Sequence, residues 1–190
     1  MLSLLLISTV ASAGWEELAR SNGCVFYKSD SLEGSGVQPV RAECDWPMEP
    51  GVLHRLLRKS ADHDLYFASI SKCEPVPDHP DRVWQLHESP GIAPREVVLQ
   101  VSEVDVPGGK RFSWDKADDQ SMNSGRGVEV PVDSGFWEIT DNGSGGSKLV
   151  YELRYLPGGN APVFMVRWFL GTGMQTFVGE LRRYAEKHGR

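Results

Sequence analysis

The chain has 190 residues, 40% of them hydrophobic, and a formal net charge of −6. That length suits one domain, large enough to bury a core or enclose a ligand cavity without cross-links. The acidic balance weighs against nucleic acid, whose phosphates need a basic face, and against a docking surface for anionic membranes. Three cysteines and five histidines are scattered without zinc spacing, so neither a metal site nor a cofactor is expected.

Residues 1–13 read as a secretory signal, with an apolar run over 2–10 and the small residues Ala11, Ser12 and Ala13 ahead of Gly14. No Lys or Arg precedes the run, which is too short to span a bilayer. The expected product is a single domain over 14–190, periplasmic or secreted. In an exported chain an odd cysteine count leaves at least one thiol unpaired or intermolecular.

Residues 14–23 read as a short amphipathic helix, with Trp15, Leu18 and Ala19 on one face and Gly23 as its C-terminal stop. Strands over 24–28 and 37–44 follow, joined by a turn with two glycines. This hairpin sets Cys24 opposite Cys44, either as a disulfide or as two small buried residues. Pro47 and Pro50 open a helix to about residue 59, with acids near its start and Arg55, Arg58 and Lys59 near its end. A helical turn over 60–66 comes next.

From residue 67 the apolar period changes to two. Strands are expected over 67–76, 82–88, 95–105, 110–116, 127–132, 134–140 and 148–155, separated by Pro, Gly and Asn-Gly turns. Their faces carry bulky side chains: Trp84, Phe112, Trp114, Trp137, Tyr151 and Tyr155. Leu86, Val97, Leu99 and Leu153 share those faces. After Pro157-Gly158-Gly159-Asn160-Ala161-Pro162 the chain becomes apolar and helical to its end. Val163, Val166, Leu170, Met174, Phe177 and Leu181 follow a 3.6-residue spacing, with Phe164 and Trp168 as a second edge. The layout is α+β, an antiparallel meander followed by one long C-terminal helix that needs a sheet to cover it.

Several stretches carry a family likeness: Gly23-Cys-Val-Phe-Tyr-Lys, Val40-Arg-Ala-Glu followed by Trp46-Pro47, Trp84 with Ser89-Pro-Gly-Ile-Ala-Pro-Arg-Glu96, Gly135-Phe-Trp-Glu-Ile139, and Tyr155-Leu-Pro-Gly-Gly-Asn-Ala-Pro162. In this order the chain resembles the START (StAR-related lipid transfer) family of the helix-grip superfamily, over about residues 14–184. It departs in having Ala61-Asp-His-Asp-Leu-Tyr66 where a tandem acidic-aromatic step is often seen. The resemblance implies a curved antiparallel sheet wrapped around the C-terminal helix and an apolar tunnel for one lipid or other hydrophobic molecule. It also implies that the loop over 89–94 lies against the terminal helix as a gate.

On that reading Trp84, Leu86, Val97, Leu99, Phe112, Trp114, Trp137, Tyr151 and Leu153 line the tunnel from the sheet. Leu170, Met174 and Phe177 line it from the helix, and Ile92 from the gate. Arg95 and Glu96 alternate on a strand, so one faces inward. Arg95 is expected to do so and to orient a ligand headgroup or hydroxyl, the other reading being a surface ion pair. His87 reads as a satisfied polar strand residue. No Gly-x-Ser-x-Gly elbow or Cys–His signature supports Ser89 or Cys73 as a nucleophile, and the resemblance implies a monomeric, non-enzymatic binder in transient membrane contact. The alternative is an enzyme of cyclase/dehydratase type using Arg95, Glu96 and His87.

Overall fold

A computed structural model describes residues 14–29, 37–161 and 169–189. The expected signal, and Val163, Phe164, Val166 and Trp168, lie outside the described residues, as does the side chain of Leu170. Among the described residues ten strands form one sheet: β1 (Trp15–Ser21), β2 (Cys24–Ser29), β3 (Val40–Trp46), β4 (Ile70–Val76), β5 (His79–His87), β6 (Arg95–Val106), β7 (Gly109–Lys116), β8 (Val128–Glu129), β9 (Val132–Asp141) and β10 (Ser147–Leu156). Their order is β1-β2-β3-β10-β9-β7-β6-β5-β4, antiparallel throughout, with β8 added in parallel to β6. Helix α1 (Pro50–Leu57) and a 3₁₀ turn (Ser60–Leu65) connect β3 to β4. A π-helical turn over Phe169–Gly173 leads into α2 (Met174–His188).

The expected first helix is instead strand β1. Ser21 pairs with Cys24 across Asn22-Gly23, and both turn residues have positive φ, 53° and 73°. Asn-Gly is a two-residue hairpin turn whose twist matches that of the flanking strands. That local preference overrides the helical spacing of Trp15, Leu18 and Ala19. The turn is then held from outside, as Trp46 Nε1 and Arg182 Nη1 both donate to the Asn22 carbonyl. Cys24 and Cys44 are register partners and form a disulfide, which decides between the two readings of that pair. The expected strand over 127–132 shrinks to the two residues of β8.

Strand β3 shows the alternation that builds the core. Val40, Ala42, Cys44 and Trp46 are buried, while Arg41, Glu43 and Asp45 point the other way. On β10, Leu149, Tyr151 and Leu153 are buried with them. One main core takes residues from strands at both ends of the sheet order, so the sheet curves round it. Helix α2 closes the concave side with Met174, Val178, Leu181 and Ala185. The edge strand β4 tolerates Pro75 because one side of an edge strand needs no ladder donor. Strand β6 is buried at five successive positions, Arg95 to Leu99. Both its faces are covered there: Val97 and Leu99 by the main core, Val98 by a second small core with Val76, Trp84 and Leu86.

Candidate functional site

Between the concave face of the sheet, the 3₁₀ turn, the loop after β5 and helix α2 lies a cavity of about 170 Å³. That is far more than the ~10–15 Å³ one water needs. Alternate residues of each strand face it: Val83, Gln85 and His87 on β5; Tyr151, Leu153 and Tyr155 on β10; Asp133 and Trp137 on β9. The period of two along a strand delivers one face to the space and the other to solvent or the second core. Several Phe, Trp and Tyr rings line the cavity. Phe177 of α2 stacks on Phe67 with ring centroids 3.7 Å apart, and Trp137 on Tyr151 at 4.0 Å.

Nine of the expected lining residues face this cavity: Ile92, Arg95, Leu99, Phe112 and Trp114, together with Trp137, Tyr151, Leu153 and Phe177. Trp84 and Leu86 do not. They lie on the opposite face of β5, under Ala117 and Met122 in the second core. This corrects the reading of β5, where the bulky apolar positions were expected to face inward. Val97 and Met174 sit in the closed part of the main core rather than at the cavity wall. Glu96 points to the same outer side as Trp84, where its carboxylate accepts from the backbone of Ser124 and Gly127.

Arg95 faces in, as expected, but it is not an open cation. It is 4% exposed. Nε donates to the Pro157 carbonyl at 3.3 Å, Nη2 to Gly158 at 3.4 Å, and Nη1 to Ala93. The guanidinium thereby ties the loop carrying Ile92 to the turn that follows β10.

The polar side of the cavity comes from residues that hydrophobic patterning passes over. The Gln85 amide nitrogen faces the Cys73 thiol at 3.5 Å and His63 Nδ1 at 3.4 Å, so its oxygen faces His87 Nε2 at 2.9 Å. His87 Nε2 therefore donates, and Nδ1 accepts from the Tyr155 hydroxyl at 3.3 Å. Burial holds the His87 imidazole neutral, its pKa pushed down to about 4. Burial does the same to His63, against a weak opposing effect of the Leu57 carbonyl. Among the described residues His63 Nε2 is a buried polar atom without a hydrogen-bond partner. Asp133, 4% exposed, accepts from Trp114 Nε1 at 2.7 Å. Burial nevertheless pushes its carboxyl up to about 7. The Cys73 thiol, pushed up to about 12 by burial, donates to the Ser60 carbonyl and is inert as a nucleophile. Among the described residues no cluster of His, Cys, Asp or Glu could hold a metal ion, and no helix is long and apolar enough to cross a membrane.

The sequence matches no family model and no curated protein. The fold is nonetheless that of START domains. The StAR-related lipid transfer protein from Xanthomonas axonopodis is similar with a TM-score of 0.78 at 17% identity, over 91% of this chain and 99% of that one. Human StAR-related lipid transfer protein 5 gives 0.82 at 15% identity, over 94% and 89% of the two chains. A START superfamily protein from Mycobacterium smegmatis gives 0.60 at 12% identity, over 78% and 97%. At these identities the likeness shows the helix-grip architecture.

Proposed function

With the START helix-grip fold as premise, we propose that this protein binds one lipid or similarly apolar small molecule in the cavity and carries or sequesters it without altering it. The observation that carries the reading is the cavity itself: about 170 Å³ beneath a wall of Phe67, Phe177, Trp137 and Tyr151. Removing a ligand's methylenes from water there gains ~0.8 kcal/mol each, so one acyl chain or ring system suffices for tight binding. Entry runs past Ile92 and the loop over 89–94, which opens during transient contact of the monomer with a membrane. Residues 1–13 direct the chain out of the cytoplasm. The Cys24–Cys44 disulfide suits that compartment, since such bonds persist where thiols are not kept reduced.

Native mass spectrometry of delipidated protein, before and after incubation with liposomes, tests this. Uptake of one lipid mass per chain is expected, and it should be lost in Leu153→Trp, which fills the cavity. No uptake in repeated trials would sink the reading.

One observation favours a second reading, an acid–base enzyme of the cyclase/dehydratase kind. Asp133 shares the cavity with the His87–Tyr155 pair and holds its proton to about pH 7, in the range useful for general acid–base work. Turnover would appear as a ligand recovered with the mass of a water removed, and Asp133→Asn would abolish that change.

A further inference from the structure

Strand β6 runs along the cavity and meets its two ends differently. Arg95, Leu99, Val101 and Glu103 all line it, about 26 Å from first to last at ~3.3 Å per strand residue. At the Arg95 end the guanidinium is buried, and each of its nitrogens donates to a backbone carbonyl. The other end carries charged side chains instead. Alternation delivers Glu103 to the same face as Leu99 and Val101, opposite Phe112 of β7. A carboxylate on an apolar inward face must be paired or reach water, and Glu103 does both. Its side chain is 28% exposed, and Arg58, at the C-terminus of α1, donates to it from Nε and Nη2 at 2.7 Å each. Lys110 Nζ adds a contact at 2.9 Å. The Arg58 side chain is itself 54% exposed. The apolar lining of Leu57, Leu99, Val101 and Phe112 thus ends at an ion pair in contact with solvent.

We propose that the cavity is a channel with a second mouth at Arg58 and Glu103, through which the far end of a long ligand reaches solvent. This rests on the reading of the cavity as a ligand site and concerns its two ends rather than the class of ligand. The loop over 89–94 and the second mouth then have separate tasks. A loop opens by backbone motion, whereas an exposed ion pair opens by faster changes of rotamer, and such pairs hold weakly. The Arg58–Glu103 pair therefore acts as a latch. It yields to a chain arriving from inside and lets out the water that the chain displaces. Arg58 and Lys110 offset Glu103 and Asp105 at that mouth, so a charged chain end is tolerated there. Inside a blind cavity the same charge would be buried without a partner.

The test is uptake of chain-matched acids by delipidated protein from phosphatidylcholine liposomes doped with one acid at a time, read by native mass spectrometry at neutral pH. Docosanoate and docosanedioate share one long chain, dodecanoate and dodecanedioate one short chain. The long diacid spans the channel and is expected to bind within about tenfold of its monoacid. The short diacid leaves one carboxylate buried and should bind at least about a hundredfold more weakly than its monoacid. Arg58→Glu should cost the long diacid about fivefold more than it costs docosanoate, and the exchanged pair Arg58→Glu with Glu103→Arg should recover that loss. Exclusion of the long diacid while docosanoate enters shows a blind cavity; it overturns this inference and leaves the ligand site standing. Equal binding of the long and short diacids overturns it too, since length then plays no part, as does uptake of phosphatidylcholine with none of the four acids. No uptake of any lipid removes the ligand-site reading, and this inference with it. The native comparison needs no variant, so poor folding of Arg58→Glu leaves the result readable.

Discussion

Acidification separates the buried ionisable groups of the cavity from the rest of the molecule. His63 and His87 each take up a proton near pH 6.5 in the unfolded chain but only near pH 4 when folded. The unfolded state therefore binds more protons between those values. The stability each histidine contributes is fully present above about pH 6.5 and is lost as pH falls through 4. At ~1.36 kcal/mol per pH unit this is about 3 kcal/mol per histidine. Asp133 has the opposite sign. Its folded pKa of about 7 exceeds the ordinary 3.8, so its contribution is fully present below about pH 4 and lost as pH rises through 7. Over pH 6.5 to 4 the two histidines outweigh the one carboxyl, for a net loss of about 3 kcal/mol from these three groups. Urea unfolding at fixed ionic strength, at half-unit steps from pH 4 to 7.5, measures the slope. Replacing His87 by Asn removes one of the two histidine contributions and should leave the profile nearly flat. Asp133→Asn removes the opposing carboxyl and should make the profile about twice as steep. Carboxylates elsewhere, such as Glu103 beside Arg58 and Lys110, act equally in all three proteins and cancel in the comparison. Parallel profiles for native protein and His87→Asn would refute the argument that burial keeps this imidazole neutral.

Reducing the Cys24–Cys44 disulfide, which spans 20 residues, should cost about 3 kcal/mol in denaturant unfolding on the chain-entropy estimate; no change in midpoint would show the bond to be thermodynamically idle. Gly135→Ala should lower the melting temperature markedly, because a Cβ there would stand 2.1 Å from the Glu152 carbonyl and 2.7 Å from the Trp114 ring, an overpacking that costs about 1–3 kcal/mol. Arg95→Met leaves three backbone carbonyls without their donor, so hydrogen exchange over residues 88–94 should quicken and bound ligand should leave faster. Unchanged exchange in that loop would show that Arg95 does not tie it down.

Much of the fold was legible in the chain. Period-two alternation on β3, β6, β7, β9 and β10, the prolines that open α1 (Pro47 ahead of it and Pro50 as its first residue) and the apolar spacing of the last helix each depend on neighbours a few residues apart. Local geometry therefore places the elements to within a few residues. Where two local signals competed the outcome was harder to read, as at residues 15–23, where an Asn-Gly hairpin turn won over a helical spacing.

Which face of a strand looks inward was another matter. On β5 the apolar positions Trp84 and Leu86 turned outward, because the segment carrying Ala117 and Met122 covers them. The polar positions Gln85 and His87 turned toward the cavity, where side chains from β4, the 3₁₀ turn and β10 satisfy them. The same holds for Asp133, an acid within a strand whose burial depends on Trp114 nineteen residues earlier. By itself the sequence determined the α+β order of elements, a long C-terminal helix in need of a cover, and an inward Arg95. Only the tertiary structure decided that the space under that helix is open and that its polar wall is Gln85, His87, Tyr155 and Asp133. The physical reason is that burial and hydrogen-bond partnership are set by segments distant in the chain, and alternation along one strand carries no record of what will cover either face.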